Sequence, residues 1–281
     1  LLMISGFDKY FQVVRCFRDE DLRADRQPEF TQVDIEISFV QMETVFQIVE
    51  TLLKKVFRLA GIKVSGPFPR LTYSDAVSRY GTDRPDVRFG LELVDVSSAF
   101  TESSFEIFRK ILGNGGVIKG LRVPGRADYS RKQLENLRIF IQTHSKNFDL
   151  SWVKRNSEGL KSSLPKVVTS LELEKVSNLA QLEEQDIFLM VGGPEKKVHA
   201  LLAPFRLQLG KQEKLISSDS YEFLWVYQFP LLEWDERENR YSSCHHPFTA
   251  PIDEDEILLE SEPGKVQSKA YDVVLNGIVS N

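Results

Sequence analysis

Residues 7–37 read FDKYFQVVRCFRDEDLRADRQPEFTQVDIEI, and this stretch decides the fold. Tyr10 to Arg18 alternates, with Phe11, Val13, Arg15 and Phe17 on one face and Gln12, Val14, Cys16 and Arg18 on the other. Phe30 to Val40 alternates again. Val33, Ile35, Ile37 and Phe39 point one way; Gln32, Asp34, Glu36 and Ser38 point the other. The charged run Asp19 to Glu29 between them, carrying Gln27-Pro28, reads as a loop. Two such strands predict a hairpin with an apolar face and a face bearing carboxylates and amides. In it Arg18 is expected to lie across from the acids.

Downstream, Met42 to Ala60 carries Phe46, Val49, Leu52, Leu53, Val56 and Leu59 at helical spacing, and Gly61 supplies a stop. That stripe is assigned to core packing. Gly66 to Pro69 marks a loop, and a shorter helix is expected near Ser74 to Tyr80. A new rhythm begins at Phe105. Val117 to Val123 predicts a strand, Pro124-Gly125 a turn, and Ser130 with Gln133 a capping box opening a helix to about His144. Leu150 to Lys154 and Asp186 to Val191 predict strands. Pro194 opens a helix expected to run towards Leu209 and stop at Gly210. Strands alternating with helices describe a small α/β domain inserted into another domain. Beyond it, Phe223 to Gln228 predicts one more strand.

Charge marks the same block. Glu102 to Lys214 holds 19 basic and 13 acidic side chains, a surplus of six, although the whole chain carries −5. A basic module in an acidic protein could face a polyanion such as RNA, or could be ordinary surface variation. With 281 residues and 42% hydrophobic content, the chain can bury one or two cores. Apolar runs such as Asp186 to Gly192 are too short to span a bilayer. Nothing at Leu1 to Gly6 reads as a signal peptide, and Cys16 and Cys244 are too few for a disulfide framework. The expectation is a cytoplasmic protein with reduced thiols and no membrane. Cys244, His245 and His246 invite a metal reading, but neighbouring side chains on an extended segment diverge. One buried and one exposed histidine is the plainer expectation. There is no phosphate-binding glycine loop, dinucleotide fingerprint or nucleophile elbow.

The motifs then become specific. Phe7 to Gln12 with Arg15 to Asp34 closely resembles motif 2 of aspartyl-tRNA synthetases. Leu93-Val94-Asp95-Val96-Ser97, Phe229-Pro230-Leu231-Leu232-Glu233, His245-His246-Pro247-Phe248-Thr249-Ala250-Pro251 and Ala270 to Gly277 match the same family. The basic block, through Leu121 to Gly125 and Ser130 to Gln133, resembles the GAD insertion of the bacterial type. The resemblance runs through essentially the whole chain.

It implies an α+β fold: a class II synthetase-like antiparallel sheet with helices, present in part and interrupted by an inserted α/β GAD domain. The implied division is residues 1–101, catalytic with motif 2; 102–214, the GAD insertion; and 215–281, catalytic again. The implied activity is aspartate–tRNA ligase: ATP-dependent activation of L-aspartate to aspartyl-adenylate, then transfer to tRNA(Asp), with tRNA(Asn) as a second acceptor to be considered. A fixed guanidinium is the right group for charge building on phosphate oxygens. Arg18 matches the motif 2 arginine, the implied catalytic residue, which meets the α-phosphate and the substrate carboxylate. Arg18, Asp19, Glu20, Gln27 and Phe30 match ATP-binding positions, Phe30 being the ring that stacks on adenine. Asp34 and His245, with Arg18, match contacts to aspartate. Asp272 matches a carboxylate on the Mg²⁺–nucleotide side, where oxygen ligands are preferred. Arg23 and Arg26 are implied contacts to the tRNA acceptor end. The family is homodimeric, and its cofactors are ATP and Mg²⁺.

Departures shape the expectation too. Motif 1, the anticodon-binding barrel, the upstream loop that binds the aspartate side chain, and motif 3 with its arginine are not in this sequence. Gln228 stands where many relatives carry an acid. The chain therefore reads as a fragment, a degenerate copy or an excised piece, expected to be inactive alone. The alternative is a non-catalytic tRNA-binding or regulatory paralogue. Discrimination between the two tRNAs, the insertion's role and the oligomeric state are not legible in these residues.

Overall fold

The computed structural model describes residues 1–19, 27–164 and 167–279. They form two compact units, Leu1–Pro69 and Arg70–Asn281.

In the first unit, strands β1 (Lys9–Phe17) and β2 (Glu29–Ile37) form the antiparallel hairpin expected from their alternation. The register opposes Gln12 to Asp34 and Tyr10 to Glu36. The Arg18 amide instead donates to the Pro28 carbonyl at 2.8 Å. Arg18 therefore shares a face with the acids but not a rung: it lies six residues, or about 20 Å, along the strand from Asp34's partner. Helix α1 (Met42–Leu59) follows. Its apolar stripe is not the core stripe that spacing suggests. Phe46 is buried, whereas Leu52, Val56 and Leu59 are exposed, the last by 90%. A helical period says which residues share a face, not whether anything covers it.

The second unit holds two large sheets. One orders β13 (Ile278–Val279), β12 (Tyr271–Leu275), β9 (Phe223–Tyr227) and β3 (Arg70–Thr72). Its pairs are antiparallel except β3 with β9, which run parallel. Helix α2 (Tyr73–Tyr80) leaves β3 directly, its N-terminus capped by the Thr72 hydroxyl. Ala76, Leu224, Val226, Phe229 and Val274 form the local core. A short hairpin, β10 (Leu232–Asp235) with β11 (Arg240–Ser243), stands beside it in sequence.

The other sheet orders β4 (Leu93–Asp95), β5 (Val117–Val123), β8 (Ile187–Gly193), β6 (Ser151–Asn156) and β7 (Gly159–Ser162). Every neighbouring pair is antiparallel, although strand–helix alternation suggests parallel neighbours. The reason is topological. The crossover through α4 (Arg131–His144) joins β5 to β6, which are parallel to each other, but β8 inserts between them as a split βαβ unit. The edge strand β4 comes from before Glu102, outside the basic block.

Both faces of this sheet are covered, so β8 is a continuous apolar run. Ile187, Leu189 and Val191 join the core under α4 and α6 (Glu195–Gln212). Phe188 and Met190 join the opposite core, which includes Val96, Phe100, Phe108 of α3 (Glu106–Gly113) and Val176 of α5 (Ser170–Leu179). The capping box at Ser130 and Gln133 forms as its spacing requires; a second, at Thr169 and Glu172, opens α5. Helix α6 does not stop at Gly210 but continues to Gln212. Gly210 serves close packing: a Cβ there would stand 2.7 Å from the Phe89 ring.

Gly120 on β5 has even less room, since a Cβ would meet the Leu189 carbonyl oxygen at 2.2 Å. That neighbour is strand backbone and cannot swing away. Gly120→Ala should therefore push β5 from β8 and cost about 1–3 kcal/mol. Chemical denaturation checks it, and a variant as stable as the parent would show that the sheet yields.

Candidate functional site

The first cluster of candidate residues lies on the hairpin. Alternation puts Gln12, Cys16, Arg18, Phe30, Gln32 and Asp34 on one face. The Arg18 guanidinium sits over the Phe30 ring, 4.4 Å from its centroid. Gln12 Nε2 donates to Asp34 Oδ2 at 3.0 Å, which fixes that carboxylate towards the same surface. Along the strands this face thus carries a planar cation, the flat ring that it overlies and then a held anion. Asp19 and Gln27 flank the loop and are exposed. Glu20, Arg23 and Arg26 lie outside the described residues.

The second cluster lies in the second unit, around β12. Asp272 is half-buried on that strand. Burial, and then the neighbouring Asp83 carboxylate, push its affinity for a proton above the ordinary carboxylate range, while His245 pulls the other way. Tyr73 at the start of α2 is likewise raised, by burial and then by Asp83. Asp83 itself sits in the turn after α2, where the Thr82 hydroxyl donates to Oδ1 at 3.3 Å. A carboxylate whose charge is disfavoured by burial and by a neighbouring carboxylate suits a divalent cation, which would neutralise it. Among the described residues no group of three His, Cys, Asp or Glu side chains could hold a metal ion. Magnesium, which is often bound by one or two carboxylates with phosphate and water, remains compatible with that donor set.

The histidine pair separates here. His245 is half-buried, its ring edge-on to Phe229 with centroids 5.2 Å apart, and its Nε2 is buried without a hydrogen-bond partner. Such an orphaned donor or acceptor costs about 1–3 kcal/mol unless something fills it. His246 is exposed; its Nδ1 accepts from the Phe248 amide at 3.2 Å. Cys244 is exposed, and its thiol is pushed up chiefly by burial of its surroundings.

A third group borders a cleft of about 370 Å³ lined by Tyr73, Ser78, Glu195, His199, Gln228 and Gln267. The buried Lys119 ammonium lies 2.9 Å from Glu195 Oε1 and 2.8 Å from His199 Nε2. Burial, then this ammonium, holds His199 below the usual imidazole range, so His199 is neutral and accepts.

Asp83, Tyr73 and Lys119 stand at these clusters without a sequence motif to mark them. The only available signal for Asp83 was the polar turn Thr82-Asp83-Arg84-Pro85-Asp86, which has turn chemistry but no motif. Lys119 was hidden inside an apolar strand.

Comparisons with known proteins bear on the whole chain. The family model for tRNA synthetases class II (D, K and N) matches residues 1–279. The aspartate–tRNA(Asp/Asn) ligase of Caldanaerobacter subterraneus subsp. tengcongensis is 50% identical over 281 residues. That of Thermoanaerobacter sp. (strain X514) is 49% identical over 278 residues, and the aspartate–tRNA ligase of Clostridium acetobutylicum 43% over 279. Each match covers 99% of this chain and 47% of the relative. The chain spans about half the length of the curated relatives it matches.

Proposed function

The chain belongs to the class II tRNA synthetases of the D, K and N group, and from that premise we propose that it forms the central part of an aspartate–tRNA ligase. In the first step the α-carboxylate of aspartate attacks the α-phosphorus of ATP. The bond to the bridging oxygen breaks and pyrophosphate leaves. In the second, a ribose hydroxyl at the 3′ end of tRNA attacks the acyl carbon and AMP leaves. The acceptors are tRNA(Asp) and, as for relatives named for both, tRNA(Asn). The enzyme is assigned to the cytoplasm and to a homodimer; no helix among the described residues is long and apolar enough to cross a membrane.

The observation that carries this reading is the guanidinium of Arg18 against the ring of Phe30 on a polar strand face. Adenylate formation needs a surface for a purine beside a cation for the phosphate, and a guanidinium meets phosphate oxygens through two parallel donors. Arg18 is the phosphate clamp, Phe30 the adenine platform, and Asp19, Glu20 and Gln27 further ATP contacts. Asp34 takes the aspartate ammonium. His245 Nε2, buried and unpartnered, offers its hydrogen bond to aspartate. Arg23 and Arg26 reach the acceptor end. Asp272, with Asp83, would supply oxygen donors to magnesium, which when bound neutralises phosphate charge. Residues 102–214 are the GAD insertion between the two catalytic stretches, 1–101 and 215–281. Aspartate-dependent ATP–pyrophosphate exchange by the intact enzyme tests the whole reading; exchange driven by a different amino acid would overturn it.

The histidines give a sharper test. His245→Ala in the intact enzyme should raise the Michaelis constant for aspartate at least tenfold. His246→Ala should change neither that constant nor stability by more than about 0.5 kcal/mol, because His246 is exposed. A normal constant in His245→Ala would remove His245 from the aspartate site.

A further inference from the structure

Among the described residues Arg206 is the largest fully buried side chain, 2% exposed in the middle of α6. It makes no ion pair among the described contacts; it gathers backbone instead. Nε donates to the Leu91 carbonyl at 2.9 Å and Nη1 to that of Asp86 at 2.9 Å. Nη2 donates to Phe89 and Gly90, both at 2.8 Å. The guanidinium carbon lies 4.0 Å from the Phe89 ring centroid and 4.9 Å from that of Tyr80. Burial lowers its affinity for a proton to about 10, so it is charged at neutral pH. The cation is held by carbonyl dipoles and two ring faces rather than by a carboxylate.

The segment so held, 86–91, follows the turn that carries Asp83. It is fixed on its other side as well. Arg88 forks onto Asp86, with Nη2 to Oδ2 at 2.7 Å, and its Nη1 donates to the Ser217 carbonyl at 3.1 Å. The β12–β13 turn packs on it: a side chain on Gly277 would begin 3.3 Å from the Cβ of Asp86. One strand thus bears Asp272 and turns against the segment that follows the Asp83 turn, and one arginine from the inserted block pins that segment in place.

We propose that Arg206 is a positioning residue, through which helix α6 of the inserted block sets the Asp83 turn against the strand that carries Asp272. The insertion is then a structural support of the reaction centre. Asp83 is in this view the second carboxylate of the centre, and its position depends on four carbonyls more than 110 residues away in sequence from the arginine that binds them. This rests on the functional reading given above. The chemistry demands arginine. Four acceptors at fixed positions match the planar fork, whereas a lysine ammonium has three donors at one point.

Limited tryptic digestion of this chain, with the cut sites identified by mass spectrometry, tests the clamp. Pro85 blocks cleavage after Arg84, so the bond after Arg88 reports on the segment alone. In Arg206→Lys and Arg206→Met that bond should be cut at least tenfold faster, with cutting after Arg138 at the parental rate. Leu137→Ala, which damages the same block's core at a 2% exposed position, should lower the melting temperature and leave Arg88 protected. Parental protection of Arg88 in Arg206→Lys, or equal loss in Leu137→Ala, overturns the clamp. In the intact enzyme Arg206→Lys should lower kcat for aspartate activation at least tenfold, with the Michaelis constant for ATP within twofold. An unchanged kcat beside a freely cut Arg88 overturns the positioning role. A parent enzyme that activates no aspartate would instead overturn the functional reading, and the digestion would still decide the clamp.

Discussion

Arg18→Ala in the intact enzyme should lower aspartate-dependent ATP–pyrophosphate exchange by at least about 10²-fold, the scale of losing one charged contact to a transition state. Stability should hardly move. Arg18 is only half-buried, and among the described residues its side chain sits against the Phe30 ring. Such a pair at a partly exposed site is worth about 0.5–1 kcal/mol. Arg18→Lys should not recover the rate, because a point charge cannot reproduce two parallel donors. Exchange assays and melting temperatures on both variants decide it. A lysine variant within a few-fold of the parent would mean that charge alone suffices and that Arg18 is not the clamp. A large loss of stability in Arg18→Ala would instead make Arg18 a packing residue of the hairpin.

The second large effect concerns how much neighbouring chain the inserted block, residues 102–214, needs in order to fold. A segment of residues 86–214 should fold alone with a cooperative melt, while residues 102–214, the block as marked by charge, should not. Cutting at Glu102 removes the edge strand β4 and with it Leu93, Val96, Ala99 and Phe100. Val96 and Phe100 are fully buried in the core shared with Phe188 and Met190. Losing one buried phenylalanine side chain costs about 3–5 kcal/mol, and domains are stable by only about 5–15 kcal/mol. Cutting there also strips all four carbonyls from Arg206, which leaves its guanidinium without those acceptors. Two-dimensional amide spectra of the two segments would settle the boundary. Dispersed signals from 102–214 would show that β4 and Phe100 are dispensable. Collapsed signals from both would show that the block depends on α2 and the β9–β12 sheet.

Much of this molecule is legible from residue order. Alternation in residues 9–37 gives the hairpin, because side chains on a strand diverge whatever surrounds them. The capping box at Ser130 and Gln133, and the apolar run ending at Val191, are equally local. The motif segments carry the family, since a site is a set of side-chain identities at fixed spacing. Residue order thus sets backbone conformation over short windows and the kinds of side chain on each face. Tertiary structure alone decided what those faces meet. It left Leu52, Val56 and Leu59 of α1 exposed, ran α6 through Gly210 to admit Phe89, and put β8 between β5 and β6. It also chose His245 over His246 as the half-buried member of the pair, and brought Asp83 towards Asp272. The Arg206 clamp shows the reason most clearly. Its four acceptors are backbone carbonyls, which every residue owns and no sequence pattern marks, and only folding brings them within 3 Å of the guanidinium nitrogens.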